Sequence, residues 1–303
     1  MSKEIQQIID TLDSVPAGTT AILATVIDVQ GSGYRLPGAR MLILENGYTH
    51  GTVSGGCLEA DVLERAKKVL KSGLSEVFTY DTTEDENSVF SLNMGCRGVI
   101  QILLEPVGKN SPLISEMRAA YERREASENV ETPIAVMLYG AGADAIPFVR
   151  IAWELGWHVT VHDHRPAFLT AERFQKARKL DLQKVDESPG VITADSRTAA
   201  VIMTHNYARD KIILPELLRS QAFYIGALGP KRRTEQLLEE IAAEGISFTA
   251  DQLARLYAPV GLDIGADAPE SIALSIIGEI QCVLRSRGGG HLRDRVGSIY
   301  DRQ

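Results

Sequence analysis

The spacing of apolar residues changes several times along the chain, and each change predicts a new element of secondary structure. Near the start, apolar residues recur at helical spacing, at Ile5, Ile8, Ile9 and Leu12. Apolar and β-branched residues at 21–29 and 41–44 predict two strands, and Asn46-Gly47 after them indicates a hairpin turn. From Leu58 onwards a single apolar face predicts a second helix. The first part of the chain therefore mixes strands and helices, as an α+β domain does.

The stretch at 134–165 has the pattern of a βαβ unit: an apolar run, a glycine-rich turn, a helical period and a second apolar run. Gly140 and Gly142, with Ala145 in the third position, fit the dinucleotide-binding fingerprint, in which backbone N–H groups face a pyrophosphate. Asp163 follows about 20 residues later, the spacing of an acid that accepts a hydrogen bond from a ribose 2′-hydroxyl. The alternative is a tight turn that holds no ligand.

Further apolar runs extend this pattern towards the end of the chain. Residues 199–204 and 223–228 predict buried strands, and the run at 180–185 is the candidate for the strand after Asp163. Residues 257–265 predict a last strand with its loop. Asp267 and Glu270 fit a capping box that opens the following helix. The alternation predicts an α/β fold with a Rossmann-like, doubly wound parallel sheet.

Pattern and composition divide the chain into four parts. We expect an N-terminal domain at 1–108 and a polar linker with a helix at 109–131. The Rossmann-like nucleotide-binding domain is expected at 132–287. The glycine-led polar stretch at 288–303 predicts a flexible tail.

Charge and cysteine content exclude several classes of protein. The 32 Lys and Arg residues against 40 Asp and Glu residues give a net charge of −8, which argues against a nucleic-acid-binding surface. The chain has neither a signal-peptide pattern at its start nor an apolar run of about 18 residues, so no membrane span is expected. Its 3 cysteines are widely spaced and form no disulfide framework, which suits a cytoplasmic location.

Two of the cysteines lie in glycine-rich loops. Cys57 falls in or just before the first turn of the helix that begins near Leu58, where a thiolate is favoured and can ligate a soft metal. The alternative for Cys57 is a small buried residue that fills a gap beside the glycines. Cys96 lies at the start of an apolar run, where Arg97 could stabilise its anion, with plain packing as the alternative.

Polar residues also follow the predicted strands of the second half. His205 lies at the carboxyl end of the run at 199–204, the edge where open α/β sheets bind ligands. With Asp210 nearby it is a candidate for proton transfer or ligand binding, and a helix-capping pair is the alternative. After Gly229, Lys231, Arg232 and Arg233 open a helix, where cations oppose the helix dipole. They indicate an anion site, with a solvated basic turn as the alternative.

Read together, five stretches resemble the XdhC/CoxI family of accessory factors for xanthine dehydrogenase and related molybdenum hydroxylases. The resemblance covers nearly the whole chain. It rests on GSGYRLPGAR at 31–40, GTVSGGCLEADV at 51–62, MTHN at 203–206 with Asp210, YIGALGP at 224–230, and PVGLDIG at 259–265 with Pro269 and Glu270. It implies an N-terminal XdhC/CoxI-type module followed by a Rossmann domain.

The resemblance also implies a function and its site. Members of this family are thought to bind the molybdenum cofactor, or molybdopterin, to protect it during sulfuration, and to pass it to the apo-hydroxylase. Cys57 and Cys96 are then the candidate molybdenum ligands, since thiolates suit soft centres. Where the family usually has glycine, this chain has Arg97. The implied cofactor-binding residues are Arg35, Gly55, Gly56, Cys57 and Cys96 in the first half and Gly140, Gly142, Ala145, Asp163, Gly229, Lys231 and Arg232 in the second.

The implied partners are an apo molybdenum hydroxylase of the xanthine dehydrogenase type and a cysteine desulfurase, and we expect a homo-oligomer. No iron-sulfur, flavin or molybdopterin domain of the hydroxylase itself is apparent. An alternative function is an NAD(P)-dependent oxidoreductase that uses the glycine turn for its dinucleotide and His205 as acid or base. A third is a structural adaptor whose glycine turn is empty.

Overall fold

The computed structural model describes residues 2–31, 33–81, 98–184 and 189–296. The chain forms two compact units: the described residues up to Thr132 together with 295–296 form the first, and Pro133–Asp294 form the second. The first is built on a five-stranded sheet and the second on a six-stranded sheet. The α/β fold class predicted from the sequence is confirmed.

The first unit is an antiparallel sheet covered by helices. In chain order the elements are α1 (Ser2–Ser14), β1 (Ala21–Gly31), β2 (Arg40–Ile43), β3 (Thr49–Gly51), α2 (Glu59–Ser72), β4 (Glu76–Asp81), β5 (Gly98–Val107), α3 (Pro112–Arg118) and a π-helical turn (Ala119–Arg123). The strands lie in the order β3-β2-β1-β5-β4, and every neighbouring pair is antiparallel.

Both faces of this sheet are buried, because the residues of β1 alternate between two apolar clusters. Ile22 and Ala24 pack in a cluster with the apolar face of α2. Leu23 packs on the other side in a cluster with α1. Ile114 and Met117 of α3 belong to that second cluster, so the helix within the predicted linker packs into the core of the first unit.

The second unit is a parallel sheet with helices on both faces. Its elements are β6 (Ala135–Tyr139), α4 (Ala145–Glu154), β7 (His158–Asp163), β8 (Lys179–Leu182), β9 (Thr198–Ile202), α5 (Tyr207–Arg219), β10 (Tyr224–Ala227), α6 (Lys231–Ala243), α7 (Ala250–Leu253), β11 (Leu256–Tyr257), α8 (Pro269–Leu284) and a 3-10 turn (Leu292–Asp294). The strands lie in the order β11-β10-β9-β6-β7-β8, and every neighbouring pair is parallel. The helices pack in two apolar clusters, one with α4 and α8 and the other with α5 and α6.

The strand order reverses at β6. The chain continues from β6 to β7 on one side, whereas β9 lies against β6 on the other. The crevice beyond the carboxyl ends of β6 and β9 is therefore the topological switch point, where doubly wound sheets bind ligands. The predicted third strand is present as the short β8, and residues 185–188 lie outside the described part of the chain.

One local prediction is wrong. Helix α8 begins at Pro269, and Ala268 is its N-cap, so Asp267 and Glu270 do not form the expected capping box. The hydroxyl of Ser271 accepts instead from the backbone N–H groups of Ala268 at 3.0 Å and Asp267 at 3.1 Å. Proline favours the first helical position, so Pro269 makes Ala268 the N-cap. The third helical residue is then Ser271 rather than Glu270, and its hydroxyl satisfies these two N–H donors.

Candidate functional site

The glycine turn after β6 lies at the switch point, and Gly140 is needed there by its backbone. Its φ of 119° is in the region that side chains disfavour. A Cβ atom at Gly140 would also overlap the carbonyl of Met203, which follows β9. Ala145, the first residue of α4, is fully buried. These two residues therefore allow β6, β9 and α4 to pack closely.

The space above Gly142 is filled by two side chains whose pairing was not predicted. A Cβ atom at Gly142 would lie 2.6 Å from Asp144 Oδ1 and 3.8 Å from His205 Cδ2. Asp144 is the N-cap residue of α4, and its Oδ2 lies 3.2 Å from His205 Nε2. Asp144 Oδ1 is buried and has no hydrogen-bond partner within the described residues. The sequence carries one signal for Asp144: it is an acid directly before the helix that follows the glycine fingerprint.

The predicted pairing of His205 with Asp210 does not form. Asp210 lies one turn into α5, and its carboxylate faces Arg233 at 2.6 Å and also accepts from the Thr204 hydroxyl. Capping of α5 falls to Asn206, whose side chain accepts from the backbone of Arg209. His205 has a φ of 56° and a side chain that is 62% exposed, so it turns towards Asp144 and solvent.

Asp163 ends β7 as expected, but its carboxylate is already occupied. Oδ2 accepts from the backbone N–H of Ala141 at 2.6 Å and from Arg165 Nη2 at 2.8 Å. Oδ1 accepts from the backbone N–H of Arg165 at 2.8 Å and from its Nε at 2.9 Å. A carboxylate has about four acceptor positions, and these donors fill them. A ribose hydroxyl would have to displace Arg165, so the ribose role of Asp163 stays a prediction.

The electrostatics of Asp163 agree with this arrangement. Burial alone would raise its pKa, but the hydrogen bonds from Arg165 and Ala141 outweigh burial and lower the pKa to about 2. The side chain is 2% exposed. Asp163 is therefore an ionised link between β7 and the glycine turn.

At the start of α6, three basic residues differ in their surroundings. Lys231 and Arg232 are exposed, and Lys231 Nζ lies 3.9 Å from Glu235. Arg233 faces inwards, packs beside Gly229, and pairs with Asp210. Arg233 belongs to the predicted basic run, and it is the one of the three that reaches the buried acid. An anion-binding role for Lys231 and Arg232 stays a prediction.

A second buried cluster lies beside the switch point on β7. The ring of His162 stacks on Tyr139 at 4.6 Å, and its Nδ1 lies 2.8 Å from Asp181. Burial lowers the pKa of His162 despite the opposing effect of Asp181. His162 is therefore a neutral, stacked imidazole that packs beside the switch point.

In the first unit, Cys57 lies on an exposed turn that precedes α2. Ser54 organises this turn: its Oγ accepts from the backbone N–H groups of Gly56 and Leu58, each at 3.1 Å. The Ser54 hydroxyl donates to the carboxylate of Glu59, which also accepts from the Ser54 backbone at 2.9 Å. Exposure of Cys57 excludes the alternative of a buried packing residue.

Other predicted residues of this unit are placed around the same turn. Gly55 and Gly56 are exposed, and the ring of Tyr34 lies over Gly55, so that a Cβ there would be 3.3 Å from the ring. Tyr34 was not predicted. Arg35 pairs with Glu4 of α1 at 2.6 Å.

Cys96 lies outside the described residues, so the structure does not place it beside Cys57 or elsewhere. Within the part of the chain that is described, no group of three or more His, Cys, Asp or Glu side chains is arranged to hold a metal ion. In those same residues, no helix is long and apolar enough to cross a membrane.

The protein belongs to a class with two parts. The first is an antiparallel unit that exposes a cysteine on a glycine turn, and the second is a Rossmann unit that follows it in the chain. The family model described as the XdhC and CoxI family matches residues 14–81, and the model described as the XdhC Rossmann domain matches residues 136–280. The chain belongs to the XdhC/CoxI family.

Individual relatives agree with this assignment. The chain is 28% identical to a Bacillus subtilis protein named as a probable xanthine dehydrogenase subunit, over 86% of this chain and 92% of the relative. It is 23% identical to the molybdenum cofactor insertion chaperone PaoD of Escherichia coli, over 90% of this chain and 86% of the relative. A crystal structure described as a xanthine dehydrogenase from Bacillus halodurans matches with a TM-score of 0.77 and 28% identity, covering 94% of this chain and 96% of that one.

Proposed function

We propose that this protein binds the molybdenum cofactor and assists its insertion into a molybdenum hydroxylase of the xanthine dehydrogenase type. The observation that carries the proposal is the exposed Cys57 thiol on the turn held by Ser54 and Glu59. The relative named as a molybdenum cofactor insertion chaperone supports the same role.

The residues around Cys57 fit such a cofactor. A thiolate is a ligand type that soft metal centres favour. Gly56 carries no side chain, and a Cβ there would meet open space, so a bulky planar group can approach the backbone beside Cys57, next to the Tyr34 ring that covers Gly55. When bound, the cofactor supplies the redox-active molybdenum of the client enzyme. The part of this chain is to hold the cofactor at this turn.

We extend the proposal to partners. An apo-hydroxylase receives the cofactor, and a cysteine desulfurase provides sulfur while Cys57 holds it. The protein forms a homo-oligomer and acts in the cytoplasm. Resemblance to the XdhC/CoxI family supports these partners, the oligomer and the location.

The alternative of an NAD(P)-dependent oxidoreductase receives less support from the geometry. The acid expected to bind the ribose is saturated by Arg165 and Ala141. The space over Gly142 holds Asp144 and His205. Both features require rearrangement before a dinucleotide can bind in the usual way.

The experiment that tests the proposed function is mass spectrometry of small molecules released from the protein, purified from a host that makes the molybdenum cofactor. Recovery of molybdopterin or its dinucleotide form supports the proposal. Recovery of NAD(P) alone, or of no pterin, contradicts it.

A further inference from the structure

The carboxyl edge of the parallel sheet carries three buried carboxylates with unequal partners. Asp163 pairs with Arg165 at 2.8 Å, and Asp210 pairs with Arg233 at 2.6 Å. Asp144 contacts only the imidazole of His205, at 3.2 Å, among the side chains that the structure describes. Asp144 is therefore the acid at this edge that has no permanently charged partner.

One oxygen of Asp144 is also unsatisfied. The residue is 7% exposed, and its Oδ1 is buried without a hydrogen-bond partner in the described chain. A buried carboxylate oxygen without a donor or cation is unfavourable, because it has lost its hydration. The site is thus suited to a cation that arrives with a ligand.

The position of Asp144 indicates which chemical group the ligand carries. The residue precedes the 10-residue helix α4, whose N-terminus is the anion-binding position of the fold. The Asp144 carboxylate already offsets the helix dipole, so a bare phosphate would meet a like charge. A divalent cation between carboxylate and phosphate removes this conflict, and Mg²⁺ commonly binds one or two carboxylates together with ligand phosphates.

We propose that Asp144 binds a divalent cation of the Mg²⁺ type together with a diphosphate-bearing ligand at the switch point of the Rossmann unit. His205 is a positioning residue: its Nε2 holds Asp144 Oδ2, which leaves Oδ1 for the cation. The His205 ring lies over the same space and its side chain is 62% exposed, so a tilt of the ring about its contact with Oδ2 opens the path to Oδ1 without loss of that contact.

The cation needs the phosphates of the ligand in order to bind at this site. The described residues contain no cluster of three or more protein ligands for a metal, so the cation and the diphosphate bind cooperatively. The diphosphate can belong to a nucleotide or to a pterin dinucleotide, and the shared chemistry is the metal-bound diphosphate. This cation site does not involve Cys57. The site can therefore be absent while the proposed function holds, and it can be present while the proposed function fails.

Calorimetric titration of the full-length protein tests the inference, with inorganic pyrophosphate and ADP as probes, each in Mg²⁺ and in EDTA. We expect Mg²⁺ to lower the Kd by about tenfold or more. Asp144→Asn abolishes this Mg²⁺ dependence. Glu154→Gln, which removes the same charge from the other end of α4, retains it. Thermal unfolding of each variant establishes that it is folded.

Two His205 variants test the positioning role. His205→Ala weakens the Mg²⁺-dependent binding, whereas His205→Gln retains it, because its amide can still donate to Asp144. Equal affinity for both probes supports recognition of the diphosphate itself, and tighter binding of ADP supports a nucleotide as its source. Equal binding in Mg²⁺ and EDTA, no binding of either probe in Mg²⁺, or an unchanged Mg²⁺ dependence in Asp144→Asn overturns the inference.

Discussion

Asp144 Oδ2 and His205 Nε2 lie 3.2 Å apart across the glycine turn, although 61 residues separate them in sequence. One residue precedes the fingerprint helix and the other follows β9. Their pairing places a carboxylate where the fold normally receives phosphate. The switch point therefore differs from a dinucleotide-binding turn whose helix N-terminus is free of acidic side chains.

Gly140→Ala is expected to destabilise the second unit by about 3 kcal/mol or more, because the added Cβ overlaps the Met203 carbonyl in a strained backbone region. Gly245→Ala is the matched control, since Gly245 also has a positive φ, 83°, but its Cβ would enter open space. It should cost only about 1–2 kcal/mol. Denaturant unfolding measures both, and equal losses would refute the role of close packing.

The ion pair of Asp163 predicts an acid-dependent loss of stability. Its folded-state pKa is lowered from 3.8 to about 2, so its contribution is complete above the unfolded pKa and is lost as pH falls from about 4 to 2. This contribution is about 2 kcal/mol. Asp163→Asn should remove this part of the pH dependence, whereas Asp263→Asn, at an exposed position, should leave it unchanged. Unfolding free energies measured between pH 2 and 6 decide between these outcomes.

Replacing Arg233 by Met is expected to destabilise the protein by about 3 kcal/mol, because it leaves the buried carboxylate of Asp210 without its charged partner. Lys231→Met removes the same charge two residues earlier, where the side chain is 76% exposed. It should change stability by less than about 0.5 kcal/mol. Comparable losses in the two variants, measured by urea unfolding, would contradict the distinction between them.

Ser54→Ala tests the turn that presents Cys57. It removes the acceptor for the backbone N–H groups of Gly56 and Leu58 and should cost about 1–3 kcal/mol. Cofactor retention should also fall, although the thiol remains. Ser72→Ala, at the far end of α2, loses the hydrogen bond to the Val69 carbonyl and the one from the Leu74 N–H, and it should retain the cofactor. Unfolding and pterin content of both proteins provide the readouts, and unchanged retention in Ser54→Ala would contradict this role.

Much of the fold follows from local pattern. The period of the apolar residues predicts the Rossmann unit, and the glycines at 140 and 142 lie where the fingerprint places them. The start of α8 was misplaced, because the acceptor that caps it is the Ser271 hydroxyl rather than the expected acid. The hydrophobic pattern is the same whichever of the neighbouring polar residues caps the helix, so the pattern does not identify the capping residue.

The candidate site was harder to predict, because its contacts join residues distant in sequence. His205 was predicted, but its partner is Asp144 rather than the nearby Asp210, whose carboxylate is drawn to Arg233. Asp163 was placed correctly at the end of β7, yet the sequence could not show that Arg165 saturates it. Likewise, whether Cys57 was buried or exposed depended on how Ser54 and Glu59 shape the turn.

The most direct test of the proposed function compares the pterin and molybdenum content of the wild-type protein with Cys57→Ala and Cys282→Ala, all purified from a host that makes the cofactor. Cys282 is the matched control, because it is a free cysteine on α8 in the other unit. We predict wild-type content in Cys282→Ala and a loss of at least about tenfold in Cys57→Ala. Equal cofactor content in the two variants would contradict the assignment of Cys57 as the residue that holds the cofactor.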